Sequence, residues 1–465
     1  MSSHNYSFIN KEVNTVFLKK NARFKIALVY PNTYHVGMSN LGFQSIYNQW
    51  NSRPDTLCER FFYEPAKKQL LSVESRSQLN SYDVVAFSLS YELDYVHFLS
   101  VLRGAGLLGD RTQRSIMPLI IVGGVVTSFN CLPLSEFCDV VFVGEAEESI
   151  NEFMDILANY AHMGGASKKE KFLTQISQMP GVFVSGYSLT KDIAPRIVQE
   201  VDLYPTSSRV LTAHTEFSNI FLTEISRGCP WGCKFCATGS VFNKFRPRSL
   251  DVLTREISMG MKYSSRIGLI GAAISDHPQI EGLVTFLKQK NAKISVSSLR
   301  IETVKKHLLE ALSETGQRTI TFAPEAGSEQ LRRYLKKNIS DEEIMEKINM
   351  AKKAGIKKIK LYFMVGLPVE EQKDIEAIVG LIKSSARILP VKTHIGIFVP
   401  KPKTPFAGEK IADKKTITAR MRYLQRNLAA AEGIEFSARK VREAMQEAQF
   451  SSADENFFVD FAKNH

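Results

Sequence analysis

The sequence lacks long apolar stretches: no run of about 18 uncharged apolar residues, the length that spans a bilayer, occurs in it. It therefore predicts no transmembrane helix. The N-terminal stretch MSSHNYSFINKEVN also lacks the apolar core of a secretory signal. We expect a cytoplasmic protein whose thiols stay reduced. With 44% hydrophobic and 23% charged residues, the composition is that of a folded globular protein rather than a disordered one.

Cysteine is scarce, and half of the six cysteines occupy one short stretch. Cys58, Cys131 and Cys138 are dispersed through the first half, as expected for buried and inert thiols. The other three lie within SRGCPWGCKFCATG, residues 226–239, as Cys229, Cys233 and Cys236. Their C-x3-C-x2-C spacing indicates a cofactor site.

Acidic residues are outnumbered by basic ones only in the second half of the chain. Residues 1–200 contain 18 Lys and Arg against 19 Asp and Glu, a balance of −1, whereas residues 201–465 contain 42 against 29, a balance of +13. This excess attracts anions in general. No dense basic run with interleaved aromatic residues occurs, so a nucleic-acid partner is left open without being indicated.

The first half alternates short apolar runs with helical stretches. Strands are predicted at 24–30, 82–90, 118–124 and 138–147, with helices between them. Such Val- and Ile-rich strands predict a doubly wound, Rossmann-like parallel sheet covered on both faces. Ligands of this fold bind beyond the carboxyl ends of the strands. We predict this domain, with its linker, over residues 1–205.

A second alternation covers residues 206–410. Six predicted strands each precede a predicted helix, which indicates a partial (β/α)6 barrel with its chemistry at the carboxyl ends of the strands. The strands are predicted at 221–226, 266–271, 292–300, 318–328, 357–368 and 393–402. Residues 411–465 are predicted to form a short helical C-terminal region.

Three readings of the clustered cysteines differ in the number of ligands they need. Structural zinc takes four protein ligands, and only His214 and His277 lie at all near in sequence. A disulfide leaves one thiol over and is disfavoured in the cytosol. A four-iron cluster is normally held by four thiolates, so three would leave one iron open for another ligand.

This cysteine spacing, with Phe235 just before the third cysteine and a preceding strand, resembles the radical S-adenosylmethionine (SAM) superfamily. The resemblance implies that Cys229, Cys233 and Cys236 hold a [4Fe-4S] cluster. It implies that the open iron chelates SAM, whose reductive cleavage gives a 5′-deoxyadenosyl radical. A reductant such as flavodoxin or ferredoxin is then the expected protein partner.

The later strand ends carry further parts of this resemblance. LIGAAISDH implies backbone contacts to the SAM amine from Gly271 and Ala272, with Asp276 as a helper, and SVSSLR implies polar contacts from Ser297 and Arg300. Arg pairs with carboxylates through two hydrogen bonds, although a plain salt bridge is the alternative for Arg300. The expected SAM-site residues are Phe235, Gly271, Ala272, Ser297, Arg300, Glu325 of APEAGS and Gly366 of MVGLP.

A doubly wound domain before such a barrel resembles the subgroup with an N-terminal cobalamin-binding domain. The resemblance covers residues 24–150 and implies corrin contacts from Ser88, Gly123 and Gly124. Many cobalamin domains carry D-x-H-x-x-G, whose His ligates cobalt. Here the loop PNTYHVGMSNLG has His35 and Gly37 without that aspartate or spacing, so His35 is expected to be a loop residue.

The leading hypothesis is a radical SAM enzyme, with cobalamin-dependent methyl transfer to an unactivated carbon as its extension. A methylthiotransferase-like enzyme that modifies RNA or protein is one alternative, although Cys58, Cys131 and Cys138 do not resemble a second cluster site. A non-catalytic iron–sulfur or corrin-binding regulator is another. No residue is assigned a catalytic role, and a lipid, tetrapyrrole, peptide or RNA substrate all stay open.

Overall fold

The chain divides into two compact units in the computed structural model, which describes residues 11–65, 70–109, 111, 114, 117–160, 166–242 and 244–464. The first unit comprises Met1–Glu200, Thr206–Asn219 and Phe450–His465, as far as these are described. The second comprises Val201–Pro205 and Ile220–Gln449. The domain boundaries predicted at residues 205 and 410 concern domains that fold independently, and they stay predictions.

The first unit is built on a six-stranded sheet. Its elements are β1 (Val13–Asn14), β2 (Phe24–Tyr30), α1 (Tyr34–Met38), α2 (Leu41–Ser52), β3 (Thr56–Phe62), β4 (Val84–Ser88), α3 (Tyr95–Gly104), β5 (Leu119–Gly123), α4 (Val125–Phe129), β6 (Val140–Phe142), α5 (Glu147–Tyr160), α6 (Ala166–Ile176), β7 (Val182–Phe183) and β8 (Val210–Leu211). The sheet order is β3-β2-β4-β5-β6-β7, in which β7 alone runs antiparallel, and β1 pairs with β8.

This sheet confirms the predicted doubly wound fold. Parallel strands β2 to β6 follow an order that reverses between β2 and β4, the point at which such sheets bind ligands. Both faces are apolar because β2 buries alternate side chains on opposite sides, with Ile26 and Leu28 on one face and Ala27 and Val29 on the other.

Strand β3 was not predicted, because charged residues interrupt its apolar run. Arg60 is only 1% exposed and is held by two carboxylates, with Nε 2.6 Å from Glu74 Oε1 and Nη2 2.8 Å from Glu12 Oε2. On the same strand, Glu59 accepts a hydrogen bond of 2.6 Å from the Tyr82 hydroxyl. Pairing lets these charged groups lie in the interior.

The second unit continues the alternation of strands and helices. Its elements are β9 (Phe221–Glu224), β10 (Ser226–Arg227), α7 (Ala237–Val241), β11 (Arg246–Pro247), α8 (Leu250–Gly260), β12 (Arg266–Ile270), α9 (Ile280–Gln289), β13 (Lys293–Val296), α10 (Lys306–Glu314), β14 (Thr319–Glu325), α11 (Glu329–Tyr334), α12 (Asp341–Lys353), β15 (Lys358–Val365), α13 (Gln372–Ala386), β16 (Val391–Ile397), α14 (Lys414–Leu428) and β17 (Ile434–Ala438).

Its parallel strands form two adjoining sheets, β13-β12-β9 and β14-β15-β16-β17. The Leu299 N–H donates a hydrogen bond of 3.0 Å to the Thr321 carbonyl between them, which continues the curve of a partial barrel. The six predicted strands are present. The C-terminal region is mainly helical, as predicted, and it also contains β17, which pairs in parallel with β16 as a further strand. This strand is short and only partly buried, so its sequence carries a weak signal.

The chain ends with α15 (Val441–Ser451) and α16 (Glu455–Asn464). From Phe450 onward it belongs to the first unit, where Phe450 and Phe458 are buried against Tyr95 of α3. Among the residues that the structure describes, no helix has the length and apolar content needed to cross a membrane.

Candidate active site

The cysteine loop leaves the carboxyl end of β9 and closes on itself. Gly228 has a left-handed φ of 72°, and a side chain there would overlap the carbonyl oxygens of Lys244 and Phe242. The Cys229 N–H donates to that Phe242 carbonyl at 3.3 Å. Cys236 caps the amino end of α7. Contacts between Gly228–Cys229 and the segment after α7 therefore close the loop at its base.

The three thiols are free, with Cys229 and Cys233 only 7% and 6% exposed and Cys236 partly exposed. Burial raises the pKa of both buried thiols, and the positive charge of Arg300 opposes that rise at each of them. Lys337 also acts to lower the pKa of Cys233. Nearby cations favour the thiolate, which is the form that ligates a metal.

Arg300 lies over the indole of Trp231, within the cysteine loop. Its guanidinium carbon is 4.2 Å from the ring centroid, a cation–π distance. The same side chain is 11% exposed and pairs with Glu302, while its buried Nε–H donates to no acceptor among the described residues. Both the predicted salt bridge and a donor free for a ligand are therefore present in one residue.

Asp276 connects this loop to the strand-end region after β12. Trp231 Nε1 donates to Asp276 Oδ1 at 3.0 Å, and the Thr303 hydroxyl donates to Oδ2 at 3.2 Å. Burial raises the pKa of Asp276, whereas Trp231, Arg300 and Thr303 act to lower it. The carboxylate thus has defined partners in a largely desolvated place.

Glu325 ends β14 in a strained conformation, with a φ of 72° that side-chain-bearing residues rarely adopt. Its Oε1 lies 3.5 Å from Lys337 Nζ. Burial raises the pKa of Glu325, and Lys337 and Arg300 oppose that shift. Because Lys337 and Arg300 also act on Cys233, the structure brings Glu325 and the thiols into one electrostatic group.

Gly271 directly follows β12, where a side chain would crowd the Ser226 hydroxyl at 2.8 Å. That hydroxyl is buried, and it has no hydrogen-bond partner among the described residues. Ala272 and Ser297 are exposed at the ends of β12 and β13. The predicted contacts of these residues to SAM stay predictions.

Phe235 and the GLP turn meet in an apolar cluster. Phe235 packs against a buried group that includes Leu367, next to Gly366. Gly366 has a φ of 82°, and its N–H donates to Glu370 Oε2 at 2.7 Å. Arg420 Nη1 lies 2.6 Å from the same oxygen. The turn is thus held by a buried carboxylate that the sequence prediction did not include.

The predicted corrin-site residues belong to the first unit, at the carboxyl ends of its strands. Ser88 and Gly123 are register partners in the last pair of β4 and β5. Gly124 has a φ of 122°, and a side chain there would overlap the backbone of Leu89. This close approach explains why a glycine is needed at position 124. The contact of Gly124 with a corrin stays a prediction.

Exposed apolar side chains surround these strand ends. Val36, Tyr91 and Val125 are 40%, 36% and 39% exposed, and they follow β2, β4 and β5, three neighbouring strands. His35 is also exposed, in α1. Large exposed apolar groups at one sheet edge are characteristic of a binding surface.

The cysteine set fits an iron–sulfur cluster better than a single metal ion. Within the described part of the chain, no group of three or more His, Cys, Asp and Glu side chains is arranged to hold one ion. A cubane cluster places each thiolate on a different iron, so its ligands need not converge. Three free thiols on one glycine-containing loop, with cations acting on them, match that requirement.

Two family comparisons agree with this arrangement. Residues 42–185 match "Radical SAM proteins, N-terminal" and residues 223–382 match "Radical SAM superfamily". The chain is 30% identical over 449 residues to the uncharacterized protein MJ0966 of Methanocaldococcus jannaschii, covering 94% of this chain and 91% of the relative. The chain belongs to the radical SAM superfamily and is an enzyme of that class.

Solved structures share the fold. The radical S-adenosylmethionine methyltransferase TsrM from Kitasatospora setae superposes with a TM-score of 0.54 at 12% identity, over 83% of this chain and 75% of TsrM. The cobalamin-dependent S-adenosylmethionine radical enzyme OxsB, with aqua-cobalamin and S-adenosylmethionine bound, gives 0.56 at 13% identity, over 87% and 55%. At these identities the likeness concerns the fold, including a doubly wound N-terminal unit.

Sequence reasoning missed Trp231, Lys337 and Glu370 as parts of the site. Trp231 lies between two cysteines, and that position was an available signal. Glu370 lies two residues beyond the MVGLP stretch. Lys337 lies beyond α11, among many lysines, and no local pattern distinguishes it.

Proposed function

We propose that this enzyme holds a [4Fe-4S] cluster on Cys229, Cys233 and Cys236 and uses SAM with cobalamin to methylate an unactivated carbon. The observation that carries the proposal is the charged group formed by the cysteine loop with Arg300, Glu325 and Lys337. When bound, the cluster supplies an electron for reductive cleavage of SAM. A flavodoxin or ferredoxin is the reductant we expect.

The protein's own residues then bind and orient SAM and exclude water from it. Arg300 offers its buried free Nε–H to the carboxylate of SAM while Trp231 supports the guanidinium from one side. Trp231 also ties Asp276 to the cysteine loop, which places an acceptor for the SAM amine. The apolar cluster with Phe235 and Leu367 shields this region from solvent.

Cobalamin is assigned to the carboxyl ends of β2, β4 and β5. Exposed Val36, Tyr91 and Val125 there suit a flat and largely apolar macrocycle. The fold likeness to OxsB supports this assignment. His35, in α1, is not proposed as the cobalt ligand, because its loop departs from the D-x-H-x-x-G pattern.

The test is anaerobic reconstitution with iron, sulfide and cobalamin, followed by reduction in the presence of SAM. We expect a corrin absorbance that stays with the protein, 5′-deoxyadenosine from hydrogen abstraction and S-adenosylhomocysteine from methyl transfer. 5′-Deoxyadenosine without retained corrin would remove cobalamin from the proposal. No SAM cleavage by protein containing about four irons would contradict the enzymatic proposal altogether.

The structure does not favour a methylthiotransferase-like second cluster. Cys58, Cys131 and Cys138 are 0%, 7% and 2% exposed. The Cys131 thiol donates to the Lys191 carbonyl and the Cys138 thiol to the Leu134 carbonyl. A measured content of about eight irons, rather than four, would restore that alternative.

A further inference from the structure

The inner face of the partial barrel is polar rather than filled. Along β15, Ile359, Leu361, Phe363 and Val365 are buried, whereas the alternating positions Lys358, Lys360, Tyr362 and Met364 are only partly buried. Closed (β/α) barrels fill this inner face with branched apolar side chains. This face is therefore polar and only partly covered by other residues.

Two lysines face each other across this surface. Lys360 of β15 and Lys392 of β16 are register partners, so their side chains leave the same face of the sheet. Within the described residues neither makes an ion pair, and the one carboxylate beside them is Glu435 of β17, which is the register partner of Lys392 and pairs with Lys358. One carboxylate among three lysines leaves a net positive charge on this face, which attracts an anion.

A tyrosine and a histidine lie beside the lysine pair. Lys360 Nζ lies 4.7 Å from the Tyr362 ring centroid, and the His394 ring lies 5.8 Å from the Tyr362 ring. Burial lowers the pKa of His394, and the charges of Lys360 and Arg439 lower it further. The imidazole is neutral at pH 7 and its Nδ1 lies 3.1 Å from the Ser437 hydroxyl.

The same face leads to the cysteine loop. Met364 is four residues after Lys360 on β15, and it packs in the apolar cluster that contains Phe235. A strand rises about 3.3 Å per residue, so the Cα atoms of Lys360 and Met364 are about 13 Å apart. The lysine pair and the thiols thus lie toward opposite ends of one continuous surface.

We propose that this inner face binds an elongated organic anion as the substrate, with its carboxylate or phosphate group on Lys360 and Lys392. The carbon to be modified then lies toward Met364 and the cysteine loop. This inference rests on the proposed function, because it takes the thiol end as the reactive one. The proposed ligand is a small organic acid rather than a macromolecule.

The test is thermal unfolding of the reconstituted protein, titrated with pyrophosphate or with succinate at constant ionic strength. We expect a saturable rise in the melting temperature of the wild type, and the probe with the lower half-saturating concentration identifies the preferred anion. Lys360→Met and Lys392→Met should each melt about 1–2 °C higher without anion, because the repulsion is gone. Each should need at least tenfold more anion for half-saturation.

The matched control is Lys383→Met, at an exposed lysine in α13. It should respond to both probes as the wild type does. If Lys360→Met and Lys392→Met keep the full anion response, or melt below the wild type without anion, the lysines are structural and the inference is wrong.

Iron content, measured on the same samples, separates this inference from the proposed function. Protein that holds about four irons but shows no response to either anion contradicts the anion site alone. Protein that shows the expected anion response but binds no iron supports the anion site and contradicts the proposed function.

Discussion

The carboxyl ends of the parallel strands differ between the two compact units. In the second unit they carry thiols, a strained glutamate and cations that act on one another. In the first unit they carry exposed apolar side chains and a glycine that fits against the Leu89 backbone. Similar topology therefore carries two different surfaces, a group of charged side chains around thiols and an exposed apolar edge.

The comparison also shows when a shifted pKa points to a functional site. Shifted pKa values and backbone strain concentrate at functional sites, and here Glu325 combines both features. The first unit also has a buried charged group, formed by Arg60 with Glu12 and Glu74, but these residues pair fully with one another. The raised pKa values of Arg60 and Glu74 therefore indicate structure rather than chemistry.

The largest effect is expected from removing the three thiols of the second unit. Replacing Cys229, Cys233 and Cys236 together with Ala should abolish the iron–sulfur absorbance and lower the iron content from about four to near zero. Cys58→Ala, at a buried thiol in β3, is the control and should keep its iron. An intact cluster in the triple variant would defeat the ligand assignment.

The next effect should be confined to the first unit. Gly124→Ala forces a side chain into a φ of 122° and into the Leu89 carbonyl, so we expect a loss of at least about 3 kcal/mol in the free energy of unfolding. Gly109→Ala meets nothing within 4 Å and serves as the control in chemical denaturation. Equal stability of the two variants would contradict the packing argument.

A pH effect should arise at the GLP turn. Burial raises the pKa of Glu370 to about 7, so the folded protein holds this proton more tightly than the unfolded chain. Its stabilising contribution is complete below about pH 4.5 and is lost as the pH rises through 7, a loss of about 2–3 kcal/mol.

The check is the melting temperature of the wild type and Glu370→Gln between pH 4.5 and 7.5. The variant cannot titrate, so its curve should fall less steeply than that of the wild type. Glu376→Gln, at an exposed glutamate in α13, should keep the wild-type slope. Parallel curves for wild type and Glu370→Gln would show that the carboxyl does not titrate in this range.

The smallest effect concerns the support beneath Arg300. Trp231→Phe keeps a ring under the guanidinium but removes the Nε1 donor to Asp276, so we expect the KM for SAM to rise several-fold, a cost of about 1 kcal/mol. Trp231→Ala removes both contacts and should raise KM further, with iron content retained in each variant. Equal KM values for the two would mean that the ring contributes nothing.

The main strands and the cysteine loop could be predicted because their signals are local. Apolar runs such as FKIALVY and the C-x3-C-x2-C spacing are readable without knowledge of distant residues. Strand β3 was missed because its charges are compensated by Glu12 and Glu74, which lie elsewhere in the chain. Strand β17 was missed because it is short and only partly buried, and sheet pairing with β16 specifies it.

By itself, the sequence determined that the three thiols of the proposed cluster site lie together, because three cysteines within eight residues are neighbours in any compact loop. Only the tertiary structure decided which charges face them. Arg300, Glu325 and Lys337 come from different segments, and parallel strands bring their carboxyl ends to one edge. Lys360 and Lys392 likewise lie side by side only because of the strand register, which no local pattern encodes.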